Sequence, residues 1–587
     1  MNIKEVASRV LGVGLDFEIQ EISCEGLYVE YSNNAAIVGG GSIPALARAY
    51  MLLAKGISEG QESFEIKQNA YFKDCGVMLD VSRGRVMTVS GVKKYLEYMA
   101  LYGMNMLMLY TEDVYEVDNY PYMGYQRGRY TLQELCAIDE YAAGLGIEVI
   151  PCIQTLGHME KFLRYGEHKQ MAENANVLLP GLDKTYEFIE ACISTVRKAF
   201  RSNRIHIGCD EARGLGFGKS YALHGYHSPM EIFNAHLTRV VEICRKYDYH
   251  PMMWSDMYFS FAAPNKSEDY GLEIQVPQDA IDAMPDVDMV FWDYYHANNE
   301  FYGINIDKHK EFNRKIIFAG GIWTWNGFVP YFRWTYDTVR PAMEECLKRG
   351  IDSVFGCSWV SGGAETSHFM ATACLAMYSE YCWRGLECTK EDIYSVAEYV
   401  SKMPYELTEA ISDLNCGEEG DYNIGLLTLW SDPLINLLCY DFDLKKAERL
   451  YESALNVFEK YSDVPEISYY KAVFRAALHK VKIHLTLRSH YKAGDREWLA
   501  DFAANMVPQI QKDFEDLYHL HHDLWKQDYK AHGYEALSMR FGGAIERIRY
   551  TGEVISNYLD GKIDCIEELE PVVLQGKKQK LVYSAYF

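Results

Sequence analysis

The order of apolar segments predicts an α/β protein: a (β/α)8 TIM barrel with a small N-terminal α/β domain before it and a C-terminal α-helical domain after it. Three observations carry the prediction. From about Asn69 to Met377, eight short apolar runs alternate with amphipathic stretches, the arithmetic of such a barrel. The runs are nearly continuous in apolar residues, as strands buried on both faces are. Almost every run ends in a polar or aromatic residue, which a doubly wound sheet explains less well than a barrel with its active site at the carboxyl ends of its strands.

Residues 1–68 read as the small α/β domain. The strand "GLYVEYS" leads through "GGGS" to the helix "IPALARAYMLLAKGIS" and the strand "SFEIKQ"; "GGGS" reads as a tight strand-to-helix turn. The barrel, residues 69–385, takes its strands from Val77–Val81, Met104–Tyr110, Ile147–Ile153, Arg204–Asp210, His250–Asp256, Val287–Tyr295, Lys315–Trp323 and Asp352–Trp359. Between them, stretches such as "SGVKKYLEYMALYG" and "SPMEIFNAHLTRVVEICRKY" place apolar residues at three-and-four spacing, and several close on Gly as helices do. Residues 386–587 turn helical and Tyr-rich, as in "LKKAERLYESALNVFEKY".

Composition narrows the function. A net charge of −25 over 587 residues argues against nucleic acid or an anionic membrane surface as partner, since both need clustered Lys and Arg. No basic start followed by an apolar segment opens the chain, and no apolar run is long enough to span a bilayer. The 15 cysteines are scattered without a C-x-x-C pair, so a reduced, cytoplasmic protein without disulfides, metal or cofactor is the simplest expectation. His519, His521 and His522 fit a solvated helix face better than a metal site. The C-terminal helices are the expected place for a homodimer or domain interface.

The strand ends gather Asp80 and Arg83, Glu112, Asp113 and Tyr115, Gln154 and His158, Asp210 and Glu211, Trp254 and Asp256, Trp292, Tyr294 and Tyr295, Trp323 and Trp325, Trp359 and Glu365. Acids, one histidine and many indoles around one mouth compose a sugar-like pocket. The adjacent acids Asp210 and Glu211 could simply start a helix. Here they follow a strand in the order H-x-G-x-D-E, "HIGCDE", with a glycine-rich loop after them.

That hexapeptide resembles the signature of the family 20 glycoside hydrolases, the β-N-acetylhexosaminidases. "GVMLDVSR" resembles the family's first strand, "MNMLMLYTED" its second, "TLGHME" its third-strand loop and "CSWVSGGAE" its last, all in family order. The resemblance implies retaining, substrate-assisted hydrolysis of terminal β-GlcNAc or β-GalNAc from a small glycan or glycoconjugate, in which the 2-acetamido oxygen attacks the anomeric carbon to give an oxazolinium ion. It implies Glu211 as general acid/base and Asp210 as the ionised group holding the acetamido N–H. A raised Glu211 pKa is then expected from desolvation, with Asp210 kept charged by hydrogen bonds. His158 and Asp113 match the family's supporting relay. Trp359, Trp323 and Trp292 are expected to line the acetamido pocket, with Tyr294 favoured over Tyr295 because strand alternation admits one of the two.

Two departures stand out. Where many family members carry Arg before the first-strand Gly, to grip O3 and O4, this chain has Cys75, preceded by Lys73 and Asp74; Asp74 stands as a substrate-binding candidate at this position. The loss of that guanidinium predicts relaxed discrimination between GlcNAc and GalNAc. The family's Trp-x-Glu, whose acid holds O4 and O6, is replaced by a longer spacing ending at Glu365, the candidate for that role. This variant points to a divergent branch that includes bacterial exo-acting enzymes. Two other readings are a non-catalytic carbohydrate-binding barrel that kept the indoles, and a glycosidase of another specificity using separated carboxylates such as Asp256 and Glu211.

Overall fold

The computed structural model describes residues 1–263, 270–360, 363–415, 423–439, 442–464 and 466–573. At the N-terminus, β1 (Glu18–Ile22), β2 (Leu27–Ser32), β3 (Ala35–Gly40) and β4 (Ser63–Gln68) form a sheet in the order β1-β3-β2-β4. Helices α1 (Ile3–Leu11) and α2 (Ile43–Ser58) complete this domain. Ser42 caps α2 by accepting from the Ala45 N–H, so "GGGS" is indeed a strand-to-helix turn. Gly40 is required there: a Cβ would stand 2.5 Å from the Leu46 nitrogen. β1 and β3 have no counterpart in the sequence reading.

Eight parallel strands then close into a barrel: β5 (Asp74–Asp80), β6 (Met106–Tyr110), β7 (Glu148–Cys152), β8 (Arg204–His206), β9 (His250–Trp254), β10 (Asp288–Trp292), β11 (Ile316–Gly321) and β12 (Ser353–Ser358), with β12 paired to β5. The interior is filled by side chains such as Met78, Met106, Met108, Ile150, Met252 and Phe355, a packed core rather than a pore. All of β5 is buried, as its unbroken apolar run requires.

β8 is shorter than its apolar run suggests. Gly208 and Cys209 both take positive φ, 71°, which ends the extended backbone, and His206 Nδ1 accepts from the Gly208 N–H at 3.1 Å. His206 is therefore a structural residue: burial lowers its pKa to about 3, and its ring packs 4.5 Å from Trp254.

The C-terminal helices grip the barrel's active-site end. Arg85 is buried between Trp525 and Tyr529, its guanidinium 4.5 Å from each ring centroid. Thr88 N donates to Asp528 O at 2.8 Å and Lys530 N to Val86 O at 2.8 Å. The histidines divide: His519 is exposed, whereas His521 is buried with Nε2 2.8 Å from the Glu365 carbonyl. His521 thus belongs to the domain junction, not to a solvated face. Among the described residues no helix is long and apolar enough to cross a membrane, the 14 described cysteines are free thiols, and no group of three or more His, Cys, Asp or Glu is arranged to hold a metal ion.

Candidate active site

The strand-end loops carry an unusual amount of backbone strain. Glu112 (φ 42°), His158 (φ 54°), Cys209 (φ 71°) and Glu211 (φ 44°) all occupy the left-handed region, at about 1–3 kcal/mol each. Such conformations persist when neighbours over-determine them. The Glu211 N–H donates to Asp256 Oδ2 at 3.0 Å, the Ala212 N–H to Met257 Sδ at 3.2 Å, and Thr155 Oγ1 to the Ile207 carbonyl at 2.8 Å. The result aims the Asp210 and Glu211 side chains at one imidazole.

His158 Nε2 lies 3.1 Å from Asp210 Oδ2 and 3.4 Å from Glu211 Oε2, while Nδ1 is 3.8 Å from Glu112 Oε1. Burial opposes protonation of His158, but the Asp210 charge and hydrogen bonds to both acids outweigh it and raise its pKa well above the ordinary value. The partners respond in kind. Burial pushes Asp210 up, yet the His158 charge and hydrogen bonds from His158 and Gln154 leave it depressed. For Glu211 the hydrogen bond from His158 is the largest influence and exceeds desolvation, so its pKa is also lowered. This corrects the expected rise at Glu211: the cluster keeps its proton on the imidazole. A chain of bonds supports it. Gln154 Nε2 donates to Asp210 Oδ1 and to the Tyr110 hydroxyl, both at 2.9 Å, and Tyr110 donates to Glu112 Oε1 at 3.1 Å.

The cluster opens into a cavity of about 270 Å³ whose lining includes Arg83, His158, Asp210, Glu211, Trp254, Trp292, Tyr294, Tyr295, Trp325 and Trp359. Trp359 stands edge-on to Tyr110, centroids 4.7 Å apart, and Trp292 stacks on Tyr294 at 5.2 Å. Burial raises the Tyr294 phenol well above its usual value, so it remains a protonated donor. Both tyrosines line the cavity because β10 stops at Trp292 and strand alternation no longer governs them; Tyr295 is 44% exposed at the rim.

The structure therefore brings together Asp210, Glu211, His158, Trp359, Tyr294 and Trp292. Four candidates lie elsewhere. Asp113 does not face His158: it pairs with Arg127 Nε at 2.9 Å, and the acid beside His158 is its neighbour Glu112. The positive φ of Glu112 turns consecutive side chains in different directions. Asp74 begins β5, at the end of the barrel opposite the cavity, and pairs with Arg204 at 2.7 Å. Glu365 is buried against the helical domain, accepting from Trp430 Nε1 at 3.1 Å and lying 3.4 Å from Arg540 Nη1. Trp323 sits one layer back, stacked on Trp325 at 4.3 Å with Nε1 donating to the Tyr294 carbonyl at 3.2 Å. Sequence reasoning gave no role to Glu112, Arg83, Gln154, Trp254 or Trp325; their signal was only their place at strand ends. Asp256, the separated carboxylate of the rival reading, is buried beneath Glu211 as acceptor for its backbone and does not line the cavity.

Comparison with known proteins agrees with this architecture. Residues 72–279 match the model for the glycosyl hydrolase family 20 catalytic domain, and residues 409–584 that for the glycoside hydrolase 20C C-terminal domain. Hexosaminidase D of Bos taurus is 26% identical over 234 residues, 38% of this chain and 62% of that protein. A β-hexosaminidase of Vibrio furnissii is 34% identical over 133 residues, 20% of this chain and 22% of that protein. The chain thus spans less than two thirds of the length of these curated relatives. Among solved structures, a mutant Streptomyces plicatus β-hexosaminidase in complex with GlcNAc superposes with TM-score 0.50 at 17% identity, covering 68% of this chain and 87% of the other; at that identity the likeness concerns the fold.

Proposed function

Because the chain belongs to glycoside hydrolase family 20, we propose that it is a retaining exo-β-N-acetylhexosaminidase that removes terminal β-GlcNAc or β-GalNAc with the help of the substrate's own acetamido group. The observation that carries this reading is the pair Asp210–Glu211, joined through one nitrogen of His158, on the wall of an indole-lined cavity. At about 270 Å³ the cavity lies near the lower end of small-molecule pockets, about 300 Å³, which suits one terminal sugar rather than a length of chain.

In the first step the acetamido oxygen bonds to C1 as the C1–O bond to the leaving group breaks. The proton held on the His158 imidazolium passes across their shared hydrogen bond to Glu211 and on to the departing oxygen, which leaves Glu211 ionised and His158 neutral. Asp210, held ionised, accepts the acetamido N–H and stabilises the positive charge that nitrogen gains. In the second step Glu211 takes a proton from water as the water oxygen bonds to C1 and the oxazolinium ring opens, with net retention. Indole faces stack on the sugar's C–H faces, and the Tyr294 hydroxyl is the donor available to the acetamido oxygen.

The deciding experiment is turnover of 4-nitrophenyl β-GlcNAc by Glu211→Gln and Asp210→Asn variants, together with inhibition of the wild type by GlcNAc-thiazoline, which mimics the oxazolinium ion. Losses of about 10²–10⁴-fold in kcat and tight inhibition are expected. Near-normal turnover in either variant, or turnover of sugars lacking the 2-acetamido group, refutes the assignment.

A further inference from the structure

Glu211, the acid assigned to the leaving oxygen, meets a cation on each side. Its Oε2 lies 3.4 Å from His158 Nε2, and its Oε1 accepts from Arg213 Nη2 at 3.0 Å. We propose that Arg213 reads the leaving group, and that the enzyme favours terminal N-acetylhexosamine linked to an acidic sugar, a uronic acid whose carboxylate the guanidinium binds; this rests on the hexosaminidase reading above.

Position supports the assignment. Arg213 follows Glu211 by two residues in the loop after β8, and its side chain is 75% exposed, outside the cavity that His158, Asp210 and Glu211 line. With one terminal sugar in that cavity, the oxygen that Glu211 protonates marks the exit, and whatever that oxygen carries emerges beside Arg213. The backbone there is held firmly. Asn174 Nδ2 donates to the Arg213 carbonyl at 3.0 Å. The buried Glu173 carboxylate accepts from the Gly216, Gly218 and Ser220 N–H groups at 3.1, 2.9 and 2.8 Å, and from the Ser220 hydroxyl at 2.7 Å. A fixed loop thus presents a long, solvated cation at the exit.

Charge and hydrogen-bonding capacity fit an anion. The ionised Asp210 and Glu211 are balanced by protonated His158 and by Arg213, so the acid pair does not by itself repel a further carboxylate. An ion pair as exposed as Arg213–Glu211 is worth only about 0–1 kcal/mol, and it engages Nη2 of a group with five N–H donors. The remaining donors can meet a carboxylate side by side, a geometry that an ammonium does not offer. The sugar seated in the cavity fixes its attached neighbour, so this second contact costs less ordering than a pair between two loose side chains. With a net charge of −25 the chain's overall field repels anionic substrates, and a guanidinium at the exit offsets that field where the leaving group lies.

The test measures kcat/KM on matched disaccharides that differ in the C6 carboxylate alone: GlcNAc joined β-1,3 or β-1,4 to glucuronic acid, and GlcNAc joined in the same two ways to glucose. The wild type should prefer the acidic member of at least one pair by about three- to tenfold, and the preference should shrink at high salt. Arg213→Gln should bring that ratio to about one and Arg213→Lys should restore part of it, with thermal melting to confirm folding. A wild-type ratio at or below one for both pairs overturns the proposal. So does a ratio that survives in Arg213→Gln, whether the rates are unchanged or fall equally on both members, the second being the mark of a cation that serves Glu211 alone. Wild-type turnover of the uncharged 4-nitrophenyl β-GlcNAc reports separately on the hexosaminidase reading.

Discussion

The imidazole of His158 stands 3.1 Å from the carboxylate of Asp210, and the same nitrogen reaches Glu211 at 3.4 Å. One proton therefore serves two acids, and removing any member changes the titration of the others. The folded cluster has a raised histidine and depressed carboxylates.

Stability should carry the signature of that arrangement. The raised His158 contributes stability that is fully present below its unfolded value, about 6.5, and lost as pH rises through the higher folded value. The depressed acids contribute stability that is present above about 4 and lost as pH falls through their lower folded values. Thermal melting of the wild type minus that of His158→Gln, followed against pH, should thus show its largest difference between about pH 4 and 6.5 and decline on both sides. A pH-independent difference would contradict the shared-proton arrangement.

Catalysis should lose its alkaline limb in the same way. With His158 present, the deliverable proton leaves the cluster only above the ordinary histidine range. In His158→Gln the proton rests on Glu211 alone, and the alkaline limb of kcat/KM should move towards acid while kcat falls by about 10²-fold. An unmoved limb would show that His158 has no part in holding the proton.

Adjacent acids can be separated by mutation. Glu112→Gln should lower kcat/KM by about tenfold or more with little change in melting, because Glu112 faces His158 and Arg83. Asp113→Asn should instead cost about 3 kcal/mol of stability, since it strands Arg127 beside a nearly buried partner. The reverse pattern would restore Asp113 to the site.

Specificity gives another measurement. With cysteine at position 75 and Glu365 turned away, kcat/KM on the nitrophenyl β-GlcNAc and β-GalNAc glycosides should agree within about tenfold, a difference of about 1.4 kcal/mol. A preference of about 10³-fold would mean that another group reads the C4 centre.

The barrel was legible because strands buried on both faces leave unbroken apolar runs, and "HIGCDE" announced the acid pair. What stayed hidden depended on backbone direction and distant partners. Nothing in "YTED" says which acid points inward; that follows from φ 42° at Glu112 and from Arg127, reached across a loop. Glu365 was read as a sugar ligand because it follows Trp359, but its direction is set by Arg540, 175 positions later. Alternation separated Tyr294 from Tyr295 only while both were counted within a strand that ends at Trp292.

Glu365 ties the loop behind Trp359 to Trp430 and Arg540 of the helical domain, and Arg85 is clasped from the same side. The C-terminal third is consequently a wedge that holds one rim of the barrel mouth in shape. An excised barrel would lose this brace and leave Arg85 and Glu365 without their partners across the junction.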